Sequence, residues 1–392
     1  MREWKQYKLG EIASFKTGKL NSNAAEVNGL YPFFTCSPET LRINNYAFDQ
    51  EAVLLAGNNA EGNFNIKYYA GKFNAYQRTY IISGNEGVDN KFLYYALSIC
   101  LKHFKSYSQG TATKFLTAVI LNNFRIIIPE SLFVQHRIAS ILSSLDDKIA
   151  VNKKICENLE AQAQALFKHW FVDFAPFKDG KFVESELGLI PEGWRVKRLG
   201  EMPLTVTDYV ANGSFASLKE NVKLYEDVNY AYFIRNTDLK SKNFCVYVDE
   251  HSYNFLYKSK LEGGEIIISN VGDVGSVHLC PHLDRPMTLG NNIIMVKPHN
   301  DIYRNFLFIL FRWNYGQKLI QSIKGGSAQP KFNKTDFKSL KIIVPEESVL
   351  KKFDDIVSPL FNYIGKNDKE NQELSKLRDT LLPKLMSGQI KL

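Results

Sequence analysis

The chain is short of the residues that staple a fold or span a membrane. Its 392 residues include five cysteines, Cys36, Cys100, Cys156, Cys245 and Cys280. The number is odd and no Cys-x-x-Cys occurs, which argues against a disulfide scaffold or a zinc ribbon and fits a reducing compartment. The most apolar stretch, Phe306 to Phe311, is far too short for a bilayer, which takes about 20 residues. Met1-Arg2-Glu3-Trp4-Lys5 lacks the apolar core of a secretion signal. A soluble, cytoplasmic protein is the expectation. At 45% hydrophobic and 23% charged, the chain is neither disordered nor fibrous.

Catalytic signatures are missing as well. There is no Gly-x-Ser-x-Gly elbow, no His-Glu-x-x-His, and no Pro-Pro-Tyr/Phe of the kind that holds a flipped base for amino-methylation. No Pro-Asp pair begins a nuclease signature. Gly57-Asn58-Asn59-Ala60-Glu61-Gly62-Asn63-Phe64 has the glycine spacing of a P-loop, but Asn63 stands where the phosphate-binding lysine must be. His278, Cys280 and His282 alternate as metal ligands on a strand could, yet Pro281 interrupts them and no fourth ligand is evident. No catalytic constellation, and no cofactor or metal site of the chain's own, survives this search.

What is present begins with length, which is two to three times that of a usual domain and implies two or more cores. An excess of 49 Lys and Arg over 41 Asp and Glu leaves +8, a balance that favours an anionic partner. The chain also repeats itself. Trp4 with Leu9-Gly10-Glu11 returns as Trp194 with Leu199-Gly200-Glu201, a displacement of 190 (194 less 4). Gly110-Thr111-Ala112 leads to Phe124-Arg125-Ile126-Ile127-Ile128-Pro129-Glu130, and Gly326-Ser327-Ala328 leads to Leu340-Lys341-Ile342-Ile343-Val344-Pro345-Glu346, displaced by 216 (326 less 110). The second copy therefore carries about 26 extra residues.

After each Pro-Glu the apolar residues recur in alternating steps of four and three. In the first copy they run Ile138, Leu142, Leu145, Ile149, Asn152, Cys156, Leu159, Ala163, Leu166 and Trp170. In the second they run Phe353, Val357, Leu360, Ile364, Asn367, Asn371, Leu374, Arg378, Leu381 and Leu385. So sustained a pattern predicts a coiled-coil seam rather than two helices each packed on its own domain. The first helix ends where the second domain begins, and the second starts from that domain, so the pair must be antiparallel. Aligned at their centres, Asn152 faces Asn371 and Cys156 faces Asn367, a polar cluster that would reject slipped registers unless the amides lie solvated at the seam edge. Arg378 in a seam position is expected to snorkel toward water.

The two globular regions read as α+β. Short β-rich runs such as Ala52 to Ala56, Arg78 to Ser83 and Phe124 to Ile128, or Glu265 to Ser269, Ile293 to Lys297 and Leu340 to Val344, alternate with Gly/Asn turns. A helix-like run precedes each Gly-Thr/Ser-Ala loop, near Asn90 to Lys105 and Tyr303 to Ile323, and Ala175 to Pro191 is a linker. Corresponding turns of both regions are dense in the residue types that read base edges and bind phosphates. In the first they are Asn58, Asn59, Asn63, Lys67, Tyr76, Gln77, Arg78 and the run Ser108-Gln109-Gly110-Thr111-Ala112-Thr113-Lys114. In the second they are Arg235, Asn236, Thr237, Asn270, Asn291, Asn292 and the run from Lys324 through Ser327, Gln329 and Lys331 to Asn333. Singly such residues can be ordinary solvated loop. The two Gly-Thr/Ser-Ala loops recur at one place in the repeat, which favours a shared role.

The order of globular domain, long helix, globular domain, long helix resembles the specificity subunit of type I restriction-modification systems, HsdS. Gln135-His136-Arg137-Ile138-Ala139, Leu145-Asp146-Asp147-Lys148-Ile149 and Leu159 through Phe174 are similar to its central region, and Leu377-Arg378-Asp379-Thr380-Leu381-Leu382-Pro383-Lys384-Leu385-Met386-Ser387-Gly388 to its C-terminal one. Glu265-Ile266-Ile267-Ile268-Ser269-Asn270 with Gly272 and Gly275 resembles a strand and turn of its recognition domains; the first copy departs there, reading Glu51-Ala52-Val53-Leu54-Leu55-Ala56.

The resemblance implies two pseudo-repeated α/β target-recognition domains, residues 1–130 and 176–346, separated by an antiparallel two-helix coiled coil of residues 131–175 and 347–392. Each domain would recognise one half of a bipartite, asymmetric target in double-stranded DNA. The helices would space the domains and dock two methyltransferase subunits, and through these the restriction and translocase subunits, in a prokaryotic cytoplasm. AdoMet, ATP and Mg²⁺ would then belong to partners. An aromatic cluster of Phe167, Trp170, Phe171 and Phe174 is a candidate anchor for a methyltransferase, the alternative being burial against the second domain. Two other classes compete with this non-catalytic reader: an enzyme acting alone, and a coiled-coil adaptor without sequence-specific DNA binding.

Overall fold

Trp4–Lys8 pairs antiparallel with Arg125–Pro129, and Arg195–Arg198 pairs in the same sense with Lys341–Val344. In this way the two ends of each sequence repeat are stitched together. The Leu-Gly-Glu motifs explain themselves here. The Glu11 carboxylate accepts the Lys8 amide at 2.8 Å and Glu201 accepts the Arg198 amide at 3.1 Å, closing the first turn after each strand. The computed structural model describes residues 4–326, 329–390 and 392.

One strand order underlies both globular regions. The first holds a six-stranded sheet ordered Ala13–Thr17, Thr79–Gly84, Phe48–Ala56, Ile66–Ala75, Tyr31–Phe34, Leu41–Ile43. Its one parallel pairing sets Phe34 beside Ala75. In the second, Leu204–Asp208, Ile293–Pro298, Ile266–Ser269 and Val277–Leu279 form one sheet. Leu224–Tyr225, Tyr247–Val248, Ala231–Ile234, Met287–Leu289 and Lys260–Leu261 form another, with Ile234 beside Leu289 in parallel. The counterpart of the long strand Ile66–Ala75 is thus broken in two, Val277–Leu279 and Met287–Leu289. Pro281 and Pro286 lie in the break; proline has no N–H for the ladder, so the sheet splits there.

The chain divides into two compact units, one of residues 1–152 with 369–392 and one of residues 153–368. Each long helix, Leu132–Phe171 and Glu347–Met386, is 40 residues, about 60 Å at 1.5 Å per residue, and gives one half to each unit. In the first unit Ile138 and Leu142 share a core with Leu9, Phe92, Phe104 and the distant Leu385. In the second, Ala163, Phe167 and Phe171 share a core with Phe306, Phe311, Leu350, Phe353 and Val357. Early residues of one helix meet late residues of the other within each unit, so the pairing is antiparallel.

The register is the one that centre alignment of the seams gives. Asn152 is fully buried and donates from Nδ2 to Asn371 Oδ1 at 3.0 Å and to Glu370 Oε2 at 2.7 Å. In the second unit the Cys156 thiol points to the Ile364 carbonyl at 3.9 Å. Asn152 Oδ1 and Asn367 Nδ2 are buried without a hydrogen-bond partner. Arg378 corrects the snorkelling expectation. Its guanidinium lies over Asp146, Nη1 to Oδ1 at 2.7 Å, and also binds Asp379; the Tyr95 hydroxyl donates to the other Asp146 oxygen at 2.6 Å. A seam arginine is tolerated because a facing carboxylate meets it.

Replacing Asn152 and Asn371 together by leucine is expected to raise the stability of the first unit by on the order of 1 kcal/mol, since an unpaired buried amide oxygen disappears. The same change should loosen the register. Denaturant unfolding measures the first effect, and cysteine cross-linking at slipped positions measures the second; slipped cross-links no more frequent than in the parent chain would refute the register role.

Candidate nucleic-acid interface

The two Gly-Thr/Ser-Ala loops are built alike. In the first domain Gln109 and Phe115 exchange backbone hydrogen bonds at 3.0 and 2.9 Å, and Lys114–Phe115 pairs with Asn58–Asn59. In the second, Gly325 and Lys331 exchange bonds at 2.9 Å, and Lys331 also bridges to Val271. The next residue anchors each loop, the Leu116 amide to the Gly57 carbonyl at 2.8 Å and the Phe332 amide to the Asn270 carbonyl at 3.0 Å. A third segment closes each frame, with Gly57 donating to the Arg78 carbonyl at 2.7 Å and Asn270 to the Asn292 carbonyl at 3.1 Å. Gly57 is required because a Cβ there would stand 2.4 Å from that carbonyl oxygen. Loop, post-strand turn and pre-strand residue therefore converge in both domains on one hydrogen-bonded frame.

Several residues expected to read DNA are also hydrogen-bonded within the protein. Asn59 Oδ1 accepts the amides of Glu61 and Asn63 at 2.9 Å each, and Asn63 takes Lys105 at 3.0 Å on its own Oδ1. Asn270 Nδ2 holds the Phe332 carbonyl at 3.2 Å, as the Tyr80 hydroxyl holds that of Leu116 at 3.1 Å. Asn333 caps the helix Lys334–Ser339 through the Asp336 amide at 2.9 Å. Arg235 lies in a fork on Asp238, at 3.0 and 2.6 Å, and that carboxylate raises its pKa further. Asn236 Nδ2 binds Asp273 at 2.9 Å, and Asp273 also takes Lys240 at 2.7 Å, which with these bonds holds its carboxyl below the usual range. Asparagine, with two donors and an acceptor on a short stem, suits turn construction as well as adenine recognition.

The remaining candidates face solvent from that frame. Arg78, Thr111 and Thr113 are exposed in the first domain, with Asn58, Tyr76 and Lys114 half-buried beside them; Gln77 is exposed and donates to Asn21 at 2.8 Å. Thr237, Asn291, Asn292, Lys324, Gln329 and Lys331 are exposed in the second. Asn292 adopts a left-handed conformation, φ 64°, which asparagine accepts more readily than most residues. Ser327 lies outside the described residues.

Lys67 is a different case. Its ammonium is half-buried, 3.2 Å from the Ser37 carbonyl and 3.1 Å from Thr40 Oγ1, and burial lowers its pKa. The lysine thus grips a loop, Thr35 to Thr40, that the sequence did not single out.

Phe167 and Phe171, 1% and 8% exposed, belong to the core of the second unit, and Trp170 and Phe174 pack against it. Phe171 meets the rings of Phe353 at 4.7 Å and Phe306 at 5.1 Å. Their burial is the alternative named for this cluster: long aromatic side chains at the helix end fill the junction with the domain.

His278 is half-buried against Ser276 Oγ at 2.9 Å, and burial lowers its pKa to about 4. No group of three or more His, Cys, Asp or Glu among the described residues is placed to hold a metal ion. No helix among them is long and apolar enough to cross a membrane.

Comparison with known proteins agrees with this architecture. The model of the type I restriction modification DNA specificity domain matches residues 1–161 and 191–377. The chain is 32% identical over 324 residues to the type I restriction enzyme MjaIX specificity subunit of Methanocaldococcus jannaschii, covering 78% of this chain and 70% of that protein. It is 33% identical over 220 residues to the EcoDI specificity subunit of Escherichia coli, covering 51% and 49%. In fold it is similar to the crystal structure of a type I restriction-modification S subunit from M. genitalium, with a TM-score of 0.63, 18% identity, and coverage of 98% and 96%. With both repeats spanned by the family model, the chain belongs to the type I restriction modification DNA specificity domain family.

Proposed function

We propose that this chain is the non-catalytic sequence reader of a type I restriction-modification enzyme, and that it recognises a bipartite, asymmetric site in double-stranded DNA. Residues 1–130 and 176–346 would be the two target-recognition domains, one for each half-site. Residues 131–175 and 347–392 would be the spacer, whose outer faces dock two methyltransferase subunits and, through them, the restriction and translocase subunits. AdoMet, ATP and Mg²⁺ would be bound by those partners. One observation carries the reading: an identical hydrogen-bonded frame in both domains displays different side chains, Arg78, Thr111 and Thr113 in one and Asn292, Gln329 and Lys331 in the other. A repeated platform with unlike readers is what an asymmetric two-part target requires.

Methylome sequencing of a host carrying this chain with its methyltransferase tests the reading directly. A two-part motif that appears with the chain and vanishes without it is the expected result. Methylation by the chain alone, or a complex that fails to bind DNA, would overturn it.

The loops make a sharper prediction. Lys114→Ala or Lys331→Ala is expected to weaken DNA binding by on the order of 1 kcal/mol, about fivefold, without loss of folding, and to shrink the salt slope by about one where the contact is to phosphate. Binding unchanged in both variants would remove the loops from the interface.

A further inference from the structure

The topological repeat marks a reading segment that sequence similarity hides. In each domain one short strand enters the sheet in parallel, Tyr31–Phe34 beside Ile66–Ala75 and Ala231–Ile234 beside Met287–Leu289. The strand ends correspond in their hydrogen bonds: Tyr76 donates its amide to the Phe34 carbonyl at 2.9 Å, and Gly290 donates to that of Ile234 at 2.8 Å. The segment leaving the second strand is Arg235-Asn236-Thr237, a candidate reader by composition. The segment leaving the first is Thr35-Cys36-Ser37-Pro38-Glu39-Thr40.

This loop belongs to the frame already described. Asn65 Nδ2 donates to the Cys36 carbonyl at 3.0 Å, and the Cys36 thiol lies 3.5 Å from the carbonyl of Arg78, the same oxygen that receives the Gly57 amide. Lys67 holds Ser37 and Thr40 from beneath, while Ser37 Oγ accepts the Glu39 amide at 3.2 Å. Pro38, Glu39 and Thr40 remain exposed at the tip, where the Glu39 carboxylate feels the charge of the Lys67 ammonium and takes no part in the hydrogen bonds that hold the loop. A carboxylate carried on an anchored backbone at a surface that meets DNA is repelled by phosphates. It gains most where it meets the exocyclic amino group of a base, since carboxylates accept hydrogen bonds but cannot donate them.

We propose that Thr35–Thr40 is a base-reading loop of the first domain, with Glu39 accepting a hydrogen bond from the amino group of cytosine or adenine and Lys67 acting as the positioning residue. The inference rests on the proposed DNA-reading role, and its test separates the two. The full chain in complex with its methyltransferase subunits is measured for binding to its methylated motif and to every single-base-pair change in the first domain's half-site. If the parent complex shows no motif, the DNA-reading role fails; if it shows one, the variants decide.

Glu39→Ala, an exposed change that leaves the frame intact, is expected to lose about tenfold to a hundredfold discrimination at one base pair of that half-site, with the other half-site unaltered. Undiminished discrimination, or tighter binding with a steeper salt slope, would overturn the proposal, the latter by showing that the carboxylate faces phosphates. Lys67→Met is expected to lose preference at the same base pair with the salt slope unchanged. A slope reduced by about one with preference kept would make Lys67 a phosphate contact and overturn its positioning role.

Discussion

Phe167→Ala is expected to destabilise the second unit by about 3–5 kcal/mol, the range for removing a fully buried phenylalanine, and to lower its melting temperature by about 10 °C. The ring is 1% exposed and stands within aromatic contact distance of Phe171, Phe306 and Phe353, so the vacated space is walled by rigid groups that cannot collapse into it. Trp170→Ala should cost less, because that indole keeps one side open. Denaturant unfolding followed by tryptophan fluorescence measures the loss, since Trp194 lies in the same core. The measurement also decides between the two roles of the cluster. A destabilised chain that still co-elutes with its methyltransferase at low temperature fits a core residue; a chain of unchanged stability that no longer co-elutes would restore the anchor.

The seam was legible because its chemistry is local and periodic. Steps of four and three locate a buried stripe without knowledge of the fold, and the matched asparagines fixed the register that brings Asn152 to Asn371. Arg378 was misread because its partner, Asp146, is 232 positions away and lies outside the other seam's own series. The aromatic cluster was left between two roles because periodicity reports burial but not what does the burying. Among the candidate residues, composition could not separate Asn59 and Asn333, which spend their side-chain oxygens on backbone amides, or Asn63, whose side-chain amide is taken by Glu61 and Lys105, from the exposed Asn292.

The loop Thr35–Thr40 was invisible for another reason: it and its counterpart, Arg235-Asn236-Thr237, share a position and no residues. A signal did exist in the flanking strands. Tyr31-Pro32-Phe33-Phe34 and Ala231-Tyr232-Phe233-Ile234 are displaced by 200 (231 less 31), between the offsets of 190 and 216 found on either side. Short apolar runs are too common for that match to stand alone, and the parallel registers Phe34 to Ala75 and Ile234 to Leu289 supply what was missing.

A chain lengthened by one heptad in each long helix is expected to recognise the same two half-sites across a wider gap. The insertions must face each other, on the same side of the Asn152 and Asn371 pair, so that the hydrogen bond at 3.0 Å and the steps of three and four on both sides are preserved. Seven residues add about 10 Å of helix at 1.5 Å per residue. If the helices set the spacing, the unspecified gap in the target grows by about three base pairs at about 3.4 Å each. Three base pairs also turn the duplex by roughly a third of its period of about 10.5 base pairs, so the second reading surface meets a rotated groove. Binding should therefore weaken even at the best new spacing. Neither half-site should change, because Arg78, Thr111, Asn292 and Lys331 sit on frames that the insertions do not touch. Methylome sequencing reads gap and half-sites together. Methylation retained at the original spacing would show that the helices do not set the gap, and an altered half-site would show that the domains depend on the helices for their reading geometry.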